Sequence, residues 1–317
     1  MPIDSMLTPD DVARARERIR SMIRTTPVMT SDVLDEMTGA RLFFKCEHLQ
    51  TTGSFKLRGA SHAVALLSDD CPGVATHSSG NHGAALARAA TLRGFRAEIV
   101  VPEGAVASKV DNIRRHGGRV QFCEPTQAGR EAALARLVER GFEPVPPYDD
   151  DRIIAGQGSA ALELVEQVAE LDAIVVPVGG GGLVSGTALA ARSVSRPPRV
   201  FGVEPAGADD TARSLALGRR VEDHHPETIA DGLRALVGER NLALIARHVE
   251  AVDTVSEARI REAVEQIWSH LKQTAEPSGA VALAGVLAQP ERFAGQRVGV
   301  MISGGNLDVA ACLAGLP

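Results

Sequence analysis

A lysine set among small residues is the first place where this chain could do chemistry: Thr52-Gly53-Ser54-Phe55-Lys56-Leu57-Arg58-Gly59. An Ala-rich helix follows, so Lys56 stands near a helix start. An amine there is partly buried in positive potential, which lowers its pKa. That is what an amine needs to form a Schiff base with an aldehyde. Taken alone, such a lysine is ordinarily a solvated surface group.

Three further stretches give it company. Val178-Gly179-Gly180-Gly181-Gly182-Leu183 follows an apolar strand pattern and opens a helix over 183–192. Consecutive glycines let the backbone turn tightly and aim several N–H groups at one anion, with the helix N-terminus adding positive potential. A tight turn without a ligand would not need so many glycines. The phosphate it would hold stays open at this point. The segment from Gly181 to Thr187 has Walker spacing but lacks the lysine, which argues against nucleotide hydrolysis. The dinucleotide fingerprint is out of register, although Glu204 at a strand end keeps a nicotinamide-dependent oxidoreductase (NAD) as the rival reading. Thr76-His77-Ser78-Ser79-Gly80-Asn81-His82-Gly83 places small hydroxyls, Gly and Asn at another helix N-terminus, a cradle for a carboxylate or oxyanion. Met301-Ile302-Ser303-Gly304-Gly305-Asn306 again closes a strand. In open α/β sheets ligands bind outside the carboxyl ends of strands, so one pocket could gather all of these.

The elements that must position them are legible as an alternation. Thr8 caps a helix over 9–23, with Pro9 at its first position and acids in the first turn. Strands are expected over 41–46, 73–77, 97–101, 119–123, 173–178, 200–203, 249–255 and 297–302. Helical patterns fall over 83–92, 108–115 and 128–140. Strand and helix alternating at this spacing predict an α/β fold of two open, twisted, mostly parallel sheets with helices on both faces. Turn-rich stretches at 68–73 and 143–148 bound an inserted α/β segment. The expected division is a large domain, 1–67 with 147–317, and a small inserted one, 68–146.

Composition removes other classes. The chain has 317 residues, 44% hydrophobic and 23% charged, with a formal net charge of −6. That is ordinary globular composition. It lends no support to nucleic-acid binding, which needs a clustered basic face. No apolar run reaches the ~18 residues of a membrane span. Acids precede any apolar stretch at the N-terminus, unlike a signal peptide. The cysteines Cys46, Cys71, Cys123 and Cys312 form no CxxC pair and read as reduced thiols in a cytoplasm. No HExxH occurs, and His224-His225 reads as surface rather than metal-binding.

With these motifs in this order, from about residue 8 to residue 313, the chain resembles the fold-type II pyridoxal-phosphate enzymes. The serine/threonine dehydratase and serine racemase family fits best, with its tryptophan synthase β-like architecture. The resemblance implies that Lys56 holds pyridoxal 5′-phosphate and moves the Cα proton, and that Phe55 packs beside the ring. Asn81 would reach the ring's 3′ oxygen, and Gly179, Gly180, Gly181 and Gly182 would hold the phosphate. Ser303 would bond the pyridine nitrogen. A neutral serine there makes a weaker electron sink and favours β-elimination. Ser78, Asn81 and His82 would bind the substrate carboxylate, with Arg130 as a weaker candidate. Ser79 would be the proton donor on the face opposite Lys56, the feature of the racemase branch.

The same resemblance implies a divalent cation (Mg²⁺, Ca²⁺ or Mn²⁺) on Glu204, Ala208 and Asp210, an oxygen set suited to a hard ion. It implies a homodimer acting on a small amino acid. L-Serine and L-threonine are the default substrates, giving 2-keto acids and ammonia. 3-Hydroxyaspartate dehydration or predominant serine racemisation are the alternatives. The chain stops at Pro317, so control by a C-terminal regulatory domain of the biosynthetic threonine dehydratases is not expected.

Overall fold

The computed structural model describes residues 7–308; Cys312 lies outside them. The strands are β1 (Val28–Met29), β2 (Arg41–Cys46), β3 (Gly73–His77), β4 (Arg96–Pro102), β5 (Arg119–Cys123), β6 (Glu143–Pro144), β7 (Ala173–Pro177), β8 (Arg199–Pro205), β9 (Ala251–Val255) and β10 (Arg297–Ile302). They form a six-stranded sheet of order β1-β2-β10-β7-β8-β9 and a four-stranded sheet of order β5-β4-β3-β6. Every pairing is parallel except β1 with β2 at one edge.

Alternation along the strands divides each core in two. In β7, Val175 packs to one face with Phe44, Val203 and Val300. Its neighbour Val176 packs to the other with Ile174 and Val200. Both faces are apolar because both are covered by helices. Pro277–Ala288, buried almost throughout, covers the first face. Asp151–Gln167 and Gly182–Ala191 cover the second. In the smaller sheet, Val74, Ile99 and Val101 meet the helices Lys56–Ala65 and Asn81–Leu92. Ala75 and Val100 meet the helix Gln127–Glu139.

Three helices approach one another backbone to backbone. A Cβ on Gly156 would stand 2.6 Å from the Cα of Gly59, and one on Gly158 would stand 2.6 Å from the carbonyl oxygen of Gly186. Only glycine fits at these crossings. They hold the N-terminal ends of Lys56–Ala65 and Gly182–Ala191 in a fixed relation.

A buried set of four charges braces the first of these helices. Arg58 pairs with Glu47 through Nε (2.7 Å) and Nη2 (2.8 Å), and with Glu163 through Nη1 and Nη2 (2.8 Å each). Lys45 Nζ donates to Glu163 at 2.7 Å and to the carbonyl of Thr26 at 2.7 Å. All four charged residues are buried. Strand β2, the Lys56 helix and the helix Asp151–Gln167 are thereby tied two residues from Lys56.

Two expectations shift. The first helix is Pro9–Ile19, ending short of residue 23. Met22 and Ile23 leave it to pack on the small-sheet core. The stretch 143–148, expected as a linker, contributes β6, whose pairing partner Val74-Ala75 is distant in sequence.

Candidate active site

The carboxyl ends of strands from both sheets open on one cavity of about 760 Å³. His77 ends β3, Pro102 ends β4, Pro177 ends β7, and Ser303 follows β10; all four line it. Phe55, Lys56, Ser78, Ser79, Asn81, His82, Arg130, Gly179, Gly180, Gly181 and Gly182 line it as well.

Lys56 is the first residue of its helix. Its Nζ donates to the carbonyl of Pro147 at 2.9 Å and stands 5.0 Å from the centre of the Phe55 ring. Burial lowers its pKa to about 8, so about a tenth of the amine is neutral at pH 7 and the share rises steeply above that. The segment before it is fastened to the β10 end. Phe55 N–H donates to Ser303 O (3.1 Å), Gly305 N–H donates to Gly53 O (3.0 Å), and Ser54 bridges Gly304.

The glycine turn carries unused donors. Among the described residues, the N–H groups of Gly179, Gly180, Gly181 and Gly182 find no protein acceptor. The Gly180 carbonyl is held by Gly238 N–H (3.1 Å) and Asn241 Nδ2 (2.9 Å). Gly181 has φ of 92°, a left-handed conformation that caps the helix Gly182–Ala191. A Cβ at Gly180 would fall 2.2 Å from Cγ of Tyr148, whose ring lies against the turn. Unsatisfied N–H groups at a helix N-terminus form an anion site.

The serine loop is a second such terminus, since Asn81–Leu92 starts there. Asn81 is held from both sides. Its Oδ1 accepts from Asn306 Nδ2 (2.8 Å) and its Nδ2 donates to Glu276 Oε1 (2.6 Å). His82 is neutral: burial, with the Lys56 charge behind it, lowers its pKa to about 3. Its Nε2 donates to Val145 O (2.9 Å), and its Nδ1 is a buried acceptor without a partner. The ring therefore offers a carboxylate no donor; the backbone N–H in the helix's first turn does. Arg130 has a buried Nε without a partner, and its charge contributes to lowering the pKa of His77.

Glu204, Ala208 and Asp210 lie at the end of β8, outside the cavity lining. Glu204 accepts from the N–H groups of Thr211 (3.2 Å) and Ala212 (3.0 Å). Asp210 Oδ2 accepts from Val237 N–H (2.7 Å), while its buried Oδ1 makes no hydrogen bond and faces His224 Nδ1 at 3.4 Å. Burial raises both pKa values, that of Glu204 to about 8, with the Asp210 charge adding to the effect on Glu204. Two neighbouring buried carboxylates offer oxygens that suit a hard cation. Buried there, Glu204 cannot reach a ribose in the cavity, so the dinucleotide reading lacks its acidic residue. His224 also departs from its expected surface place: its side chain is 8% exposed, lies 3.4 Å from Asp210, and the residue lines the cavity, whereas His225 is exposed.

A family model for pyridoxal-phosphate dependent enzymes matches residues 19–304. The chain belongs to that family. This pyridoxal-phosphate dependent enzyme is 48% identical to the beta-hydroxyaspartate dehydratase of Paracoccus denitrificans, over 95% of this chain and 97% of the relative. It is 46% identical to a serine racemase of Arabidopsis thaliana, over 95% and 93% of the two chains. Its structure superposes on that of serine racemase from Dictyostelium discoideum with a TM-score of 0.91 at 43% identity, covering 96% of this chain and all of the other. The two-sheet fold is that of fold-type II enzymes of this class. A buried amine of lowered pKa and an anion cradle in one cavity fit the cofactor.

Tyr148, Asn241 and Glu276 belong to the site and went unread in the sequence. Their neighbours are Gly180 and Asn81, far along the chain, and no local pattern marks Tyr148 or Asn241. Only Glu276 carried a signal, standing just before Pro277 at a helix start.

Proposed function

We propose that this enzyme is an ammonia-lyase that converts L-serine- and L-threonine-type β-hydroxy amino acids to 2-keto acids and ammonia, with serine racemisation alongside. The observation that carries the reading is the Lys56 amine sharing a cavity with the four unused N–H groups of Gly179, Gly180, Gly181 and Gly182. When bound, pyridoxal phosphate supplies an aldehyde for amine capture and an electron-poor ring beside Cα.

The chain's own residues do the rest. The glycine turn and the N-terminus of Gly182–Ala191 anchor the phosphate. Phe55, Asn81 and Ser303 line the cavity: Phe55 would pack beside the ring, Asn81 would hold its 3′ oxygen, and Ser303 would hold its nitrogen. Ser78 and the first-turn backbone N–H groups of Asn81 and His82 orient the substrate carboxylate, and Lys56 Nζ takes the Cα proton. Ser79 serves the opposite face. Glu204, Ala208 and Asp210, outside the cavity lining, would hold a divalent cation.

A second reading, 3-hydroxyaspartate dehydration, is favoured by the unpartnered Arg130 Nε at the cavity, which suits a second carboxylate. Ammonia and keto acid formation from serine, threonine and 3-hydroxyaspartate decides between them. No ammonia from any of the three would overturn both.

The same reading divides the chain into 1–67 with 147–317 and an inserted 68–146. Sheet content supports the division, although the helix Lys56–Ala65 shares the small-sheet core. A cytoplasmic homodimer completes it. The free thiols Cys46, Cys71 and Cys123 are in keeping with a reducing compartment. Among the described residues no helix is long and apolar enough to cross a membrane.

A further inference from the structure

We infer that Glu276 is a positioning residue of this site, whose carboxylate sets the orientation and polarity of the Asn81 amide that faces the cofactor. The inference rests on the cofactor reading above and extends it to a residue that no motif marks.

A chain of hydrogen bonds with one allowed direction carries it. Asn306 Nδ2 donates to the backbone carbonyl of Thr52 (2.8 Å) and to Asn81 Oδ1 (2.8 Å). Asn81 must then present Nδ2 on its other side, and there Glu276 Oε1 accepts at 2.6 Å. An amide nitrogen has two N–H groups. One is committed to Glu276, which leaves the second free for a ligand. Without an acceptor at position 276 the amide loses one of its two anchors.

Glu276 is itself fixed. It caps Pro277–Ala288, and its N–H donates to the carbonyl of Gly304 (3.1 Å). Its carboxylate packs so closely on Gly304 that a Cβ there would fall 2.2 Å from Oε1. It is 3% exposed and lines the cavity. A carboxylate in this position does not serve as a surface charge.

Its ionisation is poised. Burial raises its pKa to about 7; the Asn81 bond opposes this, and Asp231 adds to the rise. Lys109 lowers it. Asp231 and Lys109 pair with one another from facing elements, the turn Asp231–Leu233 and the helix Ala107–Arg115. Lys56 and the neutral His82 share the cavity. As pH rises through about 7, Glu276 gains a negative charge beside the amide that meets the ring oxygen. That charge disfavours negative charge on the ring oxygen.

The test follows the absorption of the holoenzyme between about pH 6 and 8.5. The bound cofactor's band should move to shorter wavelength as pH rises, with a midpoint near the carboxyl's pKa. Glu276→Gln keeps an acceptor for Asn81 but cannot ionise, so its band should not move. Two partly exposed variants report on the same carboxyl without touching it. Lys109→Met should shift the midpoint to higher pH and Asp231→Asn to lower pH. A wild-type band that stays still, or a midpoint indifferent to both charge variants, would overturn the inference. Failure of the cofactor reading looks different: no band forms, or borohydride leaves it unchanged.

Discussion

The backbone N–H of Phe55 donates to the carbonyl of Ser303 at 3.1 Å. The residue before the reactive lysine and the residue beyond the last strand are thus held by one main-chain bond. Lys56 and Ser303 keep their separation whatever their side chains do, because the peptide groups set it. In the proposed mechanism these residues meet opposite parts of the cofactor ring, so this bond gauges the width of the slot.

Lys56→Ala should abolish turnover and the borohydride-sensitive band while leaving the melting temperature close to wild type. Among the described residues, the Lys56 side chain hydrogen-bonds only to Pro147 O. Its loss removes a buried amine rather than a packing element. An alanine variant that still forms the band, or retains more than a trace of ammonia release, would take Lys56 out of its role.

Ser79→Ala should lose D-serine formation and D-serine elimination while keeping much of its L-serine elimination. Racemisation needs a proton donor on each side of the planar carbon, and Lys56 serves only one. Deuterium incorporation at Cα of D-serine in heavy water reads the reaction directly. Equal loss of both L-serine activities would reduce Ser79 to a structural cap.

Removal of divalent cations should lower the melting temperature, and Mg²⁺ or Ca²⁺ should restore it. The raised pKa values of Glu204 and Asp210 come first from burial, with the Asp210 charge adding to the rise at Glu204, and a bound cation would offset that cost. A ligand at ~100 times its dissociation constant adds ~2.7 kcal/mol. Protein shown to contain metal that melts at the same temperature after chelation would refute a stabilising site.

Acid should destabilise this fold from about pH 6.5 downward, in part through His82. Its pKa falls from 6.5 to about 3 on folding, with burial as the first cause. A depressed histidine binds fewer protons folded than unfolded between those values, so stability is whole above the unfolded pKa and is lost as pH falls toward the folded one. His82→Gln should flatten the dependence of unfolding free energy on pH over that window. An unchanged slope would mean that the ring is hydrated.

The sequence made legible what is local. Glycine and serine clusters announce strand ends because turns and helix starts demand those residues where they stand, and Gly179 to Gly182 were readable without any neighbour. Strand β7 was readable because both of its faces are apolar. Contacts that arise only on folding were not. Tyr148 belongs to the site through its ring against Gly180. Glu276 belongs through Asn81, and His224 through Asp210. A two-residue strand such as β6 has too few side chains to show a period, and its identity rests on Val74 and Ala75.

The buried group of Lys45, Glu47, Arg58 and Glu163 has a consequence for how this chain can drift. Its formal charges sum to zero, and each member answers to another within 3 Å. Losing one leaves an uncompensated ion in the interior, at a cost of about 3–5 kcal/mol, whereas exchanging the whole set for well-packed apolar residues is often neutral. Single steps away from the present set therefore cross a valley. These positions should travel together through descent, changing jointly or not at all, and the mutational isolation of Arg58 would keep the neighbouring Lys56 segment anchored while the cavity lining diversifies.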